Sequence, residues 1–95
     1  MKTETFVLQV KGSSMIEEGI MDGDFVLIEE GNQPKNGDIV VALLKKEGLA
    51  TLKKYYKKRN QVTLVPANSL FTPIARPIKE VEILGICTGV IRKFK

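Results

Sequence analysis

Apolar and polar positions along the chain alternate or cluster in short runs, and the pattern reads mostly as strands with helix scarce. "FVLQV" (Phe6 to Val10) is β-branched and aromatic enough for a first strand. "SMIEEGI" is too short for a substantial helix, although Ser14 could start one turn. "DFVLIEE" follows the Asp22-Gly23 turn signal and reads as a second strand, and "GNQPKNG" is loop. "DIVVALLKK" is a third strand whose near-continuous apolar run predicts burial on both faces. Turns at Glu47-Gly48 and Arg59-Asn60 separate "LATLKKYYKK" from "QVTLVP", the fourth and fifth strands. "ANSLFTPIARP", with two prolines, reads as an irregular connection. The last segment, "VEILGICTGVIRKF", is long, and Gly85 and Gly89 inside it mark bulges or bends. The expected fold is mainly β, curled and barrel-like.

Composition narrows the chemistry chiefly through what is missing. Ninety-five residues predict one small domain with one core, and 43% apolar with 27% charged residues is an ordinary globular balance. No apolar run has bilayer length and no secretory signal pattern opens the chain, so a cytoplasmic location and no membrane partner are expected. Cys87 is the only cysteine, which excludes an internal disulfide and fits a small apolar packing residue. With no histidine, a Ser-His-Asp triad is excluded and a Cys/His zinc site cannot be built; no metal or cofactor is expected. No phosphate-binding glycine loop or EF-hand spacing occurs.

The net charge is +4, and "KKYYKKR" (Lys53 to Arg59) holds five of the fifteen basic residues. Basic and aromatic side chains together could serve nucleic acid. A lysine-rich hairpin that stays soluble and blunts a sheet edge accounts for the run more simply.

One stretch, "KGSSMIEEGIMDGDFVLI", offers a nucleophile. A serine hydroxyl needs a base, and without histidine that base is Asp, Glu or Lys. Lysine works only when neutral. At its reference pKa of about 10.4, on the order of one in a few thousand is free amine at pH 7, and burial raises that fraction. The lysine should therefore sit on a strand and point into apolar surroundings. In "GLATLKKYY" Leu49, Thr51, Lys53 and Tyr55 share one face while Ala50, Leu52, Lys54 and Tyr56 share the other. Periodicity alone leaves Lys53 and Lys54 both open. Ser14 as a helix cap is the competing structural role. Asp22 and Asp24 fit a turn that positions the second strand better than an acid–base pair.

These residues carry a resemblance. "VKGSSMIEEGIMDGDFVLI" resembles the G-x-S-M…G-I…D-G-D box of the LexA-like serine–lysine peptidases, a family that also holds the UmuD polymerase-associated proteins and phage repressors of the lambda type. "NGDIVVALL", "ATLKK", "LVPANSLFTPI" and "ILGICTGVIRKF" follow in the family's order, so the match runs from Val10 to Phe94. It is nearest to the C-terminal catalytic domain of LexA-type repressors, through "NGDIVVA", "LVPANS" and "GVIRKF".

The resemblance implies that Ser14 is the nucleophile, that Lys53 rather than Lys54 is the general base, and that the backbone N–H groups of Ser13 and Ser14 line an oxyanion hole. It implies a homodimer formed through Thr88, Gly89, Val90, Ile91, Arg92 and Lys93. It further implies self-cleavage stimulated by a RecA–single-stranded-DNA filament in the SOS DNA-damage response, with operator DNA contacted only through an N-terminal domain. On this reading residues 1–95 are one peptidase and dimerisation domain, without the DNA-binding domain and the cleavage-site linker. The family's Ala-Gly or Cys-Gly cleavage dipeptide does not occur in the sequence. A non-enzymatic dimeric platform of the UmuD or phage-repressor type is the alternative.

Overall fold

Seven antiparallel strands form one sheet in the computed structural model, which describes residues 4–92. In chain order they are β1 (Thr5–Gln9), β2 (Phe25–Glu30), β3 (Ile39–Leu44), β4 (Leu49–Lys58), β5 (Gln61–Val65), β6 (Ile74–Pro77) and β7 (Val81–Ile91). Their order across the sheet is β1-β2-β7-β3-β4-β5-β6. The mainly-β expectation is borne out, with the sheet left open: β1 and β6 are its two edges and do not pair with each other.

Strand β3 lies at the centre and is buried on both sides, as its apolar run predicts. Val40, Ala42 and Leu44 join Tyr55, Val62, Leu64 and Val81 in one apolar cluster. Val41 joins Met15, Ile20, Val26, Ile28 and Ala67 in a second. The alternation of side chains along a strand thus feeds two cores from one segment.

Strand β7 departs from simple alternation at two places. Its register slips against β3 between Val41 and Ala42, and against β2 between Leu27 and Ile28. Each slip inserts one extra residue into β7, beside Gly85 and beside Gly89. This explains why Ile83 and Ile86, three apart, pack into the same cluster, as do Leu84 and Cys87 on the other side. Gly85 is required by closeness: a Cβ there would lie 2.8 Å from the Glu29 carbonyl oxygen and against the Ile28 side chain.

Three expectations need correction. Ile74–Pro77, read as irregular, forms β6 on β5. Pro77 lacks an N–H, and an edge strand accommodates that loss because only one of its sides needs donors. The lysine-rich hairpin of β4 and β5 does not blunt a sheet edge, because β4 lies between β3 and β5. The pairing of β3 with β4 ends at Lys54, so the hairpin tip projects past it. There Asn36 and Gly37 of the preceding loop bond to Lys57 and Tyr55. The helical turn expected to start at Ser14 begins later, as a single 3-10 turn over Ile16–Glu18 preceded by Met15. Among the described residues no helix is long and apolar enough to cross a membrane.

Candidate active site

Strand β4 carries Lys53 into a nearly closed environment, with 8% of its surface exposed. Its Nζ lies 2.6 Å from Thr51 Oγ1, which stands on the same side of the strand. The same Nζ lies 3.2 Å from Ser14 Oγ, thirty-nine residues earlier in the chain. Burial pushes the Lys53 ammonium below its ordinary pKa, because a poorly solvated site disfavours the charged form.

The neighbouring lysine has the opposite situation. Lys54 points to the other side of β4 and bonds Glu18 at 2.8 Å. That hydrogen bond and the carboxylate's charge raise its pKa, so Lys54 stays an ammonium. The structure thus brings Lys53, and not Lys54, to Ser14.

Ser14 sits in a loop between β1 and β2 that is stitched mainly through backbone atoms. The Ser14 carbonyl accepts from the Ala67 N–H at 2.7 Å, and the Glu17 N–H donates back to the Ala67 carbonyl at 2.7 Å. Asn68 Nδ2 donates to the Ser13 carbonyl at 2.7 Å, and the Ser69 N–H donates to the Glu17 carboxylate. Ser14 is not a helix cap: the turn after Met15 has no side-chain cap bond, which leaves the hydroxyl for Lys53. Met15 packs instead, at 1% exposure.

Asp22 and Asp24 close the loop's ends, as a turn role requires. Asp22 Oδ1 accepts from the Gly12 N–H at 2.7 Å, and Gly23 takes φ +89°, a left-handed conformation that glycine adopts without strain. The buried Asp24 carboxylate accepts from the Met21 N–H and from Arg92. The Arg92 hydrogen bonds are the main cause that lowers its pKa to about 2.

Two hollows meet at the Ser14–Lys53 pair. One, of about 260 Å³, runs between the end of β1 and the start of β4 and is walled by Val10, Met15, Val26, Val41 and Leu52. The other lies past Gly12 and Ser13 against Leu49, Leu70, Phe71 and Ile74. An extended segment could cross the pair with side chains in both. Among the described residues no group of three or more metal-ligating side chains comes together.

Residue patterning missed the supporting contacts. Thr51 was within reach, since the period of two puts it on the Lys53 side. Ala67 and Asn68 were not, because nothing in the sequence says which distant carbonyl an asparagine will meet. Lys57, Lys58 and Arg59 are exposed at the hairpin tip and line neither hollow.

The peptidase S24-like family profile matches residues 1–88. The chain belongs to the peptidase S24-like family. S24-like relatives similar to it include the LexA repressor of Desulforamulus reducens, 50% identical over 95% of this chain and 40% of that protein. The LexA repressor of Alkaliphilus oremlandii is 51% identical over 94% of this chain and 41% of its own length. For the LexA repressor of Thermotoga neapolitana the figures are 48%, 97% and 44%. The chain therefore spans about 40% of the length of the curated relatives it matches.

Proposed function

We propose that this S24-like chain is the catalytic and self-association core of a LexA-type repressor, a serine endopeptidase that works through a Ser14–Lys53 dyad. The observation that carries the proposal is a buried lysine amine with a lowered pKa 3.2 Å from a serine hydroxyl.

In the proposed mechanism neutral Lys53 takes the proton from Ser14 Oγ as that oxygen bonds to a peptide carbonyl carbon. The carbonyl oxygen becomes an oxyanion. The N–H groups of Ser13 and Ser14 would hold it, a role supported by neither donating to a group among the described residues. Collapse of the intermediate breaks the C–N bond, and Lys53 passes its proton to the leaving nitrogen. Water, deprotonated by Lys53, then attacks the acyl carbon, the C–Oγ bond breaks, and Lys53 returns the proton to Ser14 Oγ. Thr51 Oγ1 accepts one hydrogen of the amine and so aims its lone pair at Ser14.

The self-association strand is proposed as Thr88, Gly89, Val90, Ile91, Arg92 and Lys93, of which Lys93 lies outside the described residues. Past Ile86, β7 pairs only with β2, so its other side is open among the described residues, and Val90 and Ile91 are exposed. An open strand edge with apolar side chains favours pairing with a second copy. By resemblance to LexA-type proteins, a RecA–single-stranded-DNA filament would stimulate cleavage, and operator DNA would be read by a separate N-terminal domain. The non-enzymatic platform is the less favoured reading, because it gives no reason to bury an amine against a hydroxyl.

Incubation with a linker peptide containing an Ala-Gly bond tests the proposal. Hydrolysis at that bond, lost in Ser14→Ala, supports it; an inert parent chain under alkaline conditions overturns it.

A further inference from the structure

Arg92 follows directly on β7, in the segment proposed above for self-association, yet its guanidinium turns back into the loop that carries Ser14. Its Nε and Nη2 donate to the two Asp24 oxygens at 2.8 and 2.7 Å, and Nη2 also donates to the Gly19 carbonyl at 2.8 Å. Asp24 is 3% exposed and has one further bond, from the Met21 N–H. Three donors thus converge on one buried carboxylate, and only arginine supplies a planar fork that meets both oxygens and a carbonyl together.

The loop bearing Ser14 returns to the sheet at this point. The Val10 N–H donates to the Asp24 carbonyl and the Gly23 N–H to the Val10 carbonyl, both at 2.8 Å. Gly19 ends the 3-10 turn that follows Met15, and the Ile20 N–H donates to the Met15 carbonyl. A guanidinium on Asp24 and Gly19 therefore holds both the neck of the loop and the turn behind the nucleophile.

We propose that Arg92 is a positioning residue for Ser14, which makes the geometry of the nucleophile depend on the end of β7 being seated against β2. Arg92 bonds neither Ser14 nor Lys53; it acts through Asp24 and Gly19. The inference rests on the dyad reading for its catalytic consequence, while the bracing of the loop stands on the contacts alone. A cation at Asp24 that only adds charge would be replaced by lysine without loss, whereas a fork-shaped brace would not.

The test uses the 95-residue chain with Arg92→Gln and Arg92→Lys, an Ala-Gly linker peptide as substrate, and amide hydrogen exchange. Arg92→Gln should lower kcat by tenfold or more with KM changed less than threefold, and Arg92→Lys should restore part of the loss. Exchange at the Met21 and Val10 amides should quicken in Arg92→Gln while amides of β3 to β5 keep their protection. Parental kcat in Arg92→Gln overturns the proposal. So does a loss of protection across the whole sheet in both variants, which would make Arg92 a general stabiliser. If the parent does not cleave, the dyad reading fails, and exchange at Met21 and Val10 alone decides whether Arg92 braces the loop.

Discussion

Lys53 and Ser14 approach to 3.2 Å across a gap of thirty-nine residues, one from a central strand and the other from a loop. The strand holds Lys53 in its antiparallel ladder with β3, where Lys53 stands opposite Val40, and continues from Lys54 in a ladder with β5. The loop has no such ladder and takes its place from Ala67, Asn68 and Asp24.

Removing either partner should end catalysis. Ser14→Ala and Lys53→Ala are each expected to reduce hydrolysis of an Ala-Gly linker peptide by about 10⁴-fold or more, as for other nucleophile–base pairs that act as a unit. Lys54→Ala should stay within a few-fold of the parent, since Lys54 engages Glu18 and not Ser14. Peptide cleavage followed by mass spectrometry measures all three. Normal cleavage by Lys53→Ala would mean that another group is the base.

Activity should climb with pH. Lys53 is a base only when deprotonated, and burial lowers its pKa from 10.5, so the rise should begin below the pH at which an exposed lysine titrates. The same shift has a sign for stability. Between the lowered folded pKa and 10.5 the unfolded chain binds the extra proton, so stability attributable to Lys53 increases as pH rises through that window. At neutral pH the residue is therefore a burden on the fold. Lys53→Met should raise the melting temperature at pH 7 by a few degrees, where about 1 kcal/mol corresponds to roughly 4–8 °C for a domain of this size. A lower melting temperature in calorimetry would contradict the assignment of a desolvated amine.

Thr51→Val should preserve the fold and slow the reaction by about tenfold, as expected when a reacting group loses its orientation. Thr51 Oγ1 also accepts from the charged amine, so its loss should move the rise in the pH–rate curve to lower pH while the plateau falls. Thr51→Ser should recover most of the rate. A plateau and midpoint both unchanged in Thr51→Val would remove Thr51 from the mechanism.

Gly85→Ala should destabilise the protein by about 1–3 kcal/mol, the usual cost of forcing extra volume into a packed site. The added methyl has to displace Ile28 or part β7 from the Glu29 carbonyl. Gly31→Ala is the control, because a Cβ there meets nothing within 4 Å and φ is ordinary. Urea melts of the two variants give the comparison.

The pattern of apolar residues carried most of this fold. It marked β1 to β5 and β7, the double burial of β3 and the bulges at Gly85 and Gly89, because alternation and glycine act locally. It missed β6 because "TPIARP" has the prolines of a loop, and only the presence of β5 beside it makes a strand. It misplaced the lysine-rich hairpin at an edge because strand order depends on long-range pairing. At the site, period-two spacing left two adjacent lysines open as the proposed base, and burial separates them only in three dimensions. Asn68 and Arg92 were invisible as supports, since each acts on a backbone carbonyl or buried carboxylate more than fifty residues away.

The hold on the Ser14 segment is made through main-chain atoms at Ser13, Ser14 and Glu17, with Asn68 and Ala67 as counterparts. Such a clasp is indifferent to most side chains between Gly12 and Gly19 but counts peptide units. Replacement of the exposed Ile16 would leave the hydroxyl in place. Inserting or deleting a single residue there would carry it out of reach of the amine, so this stretch is free to drift in composition and forbidden to change in length.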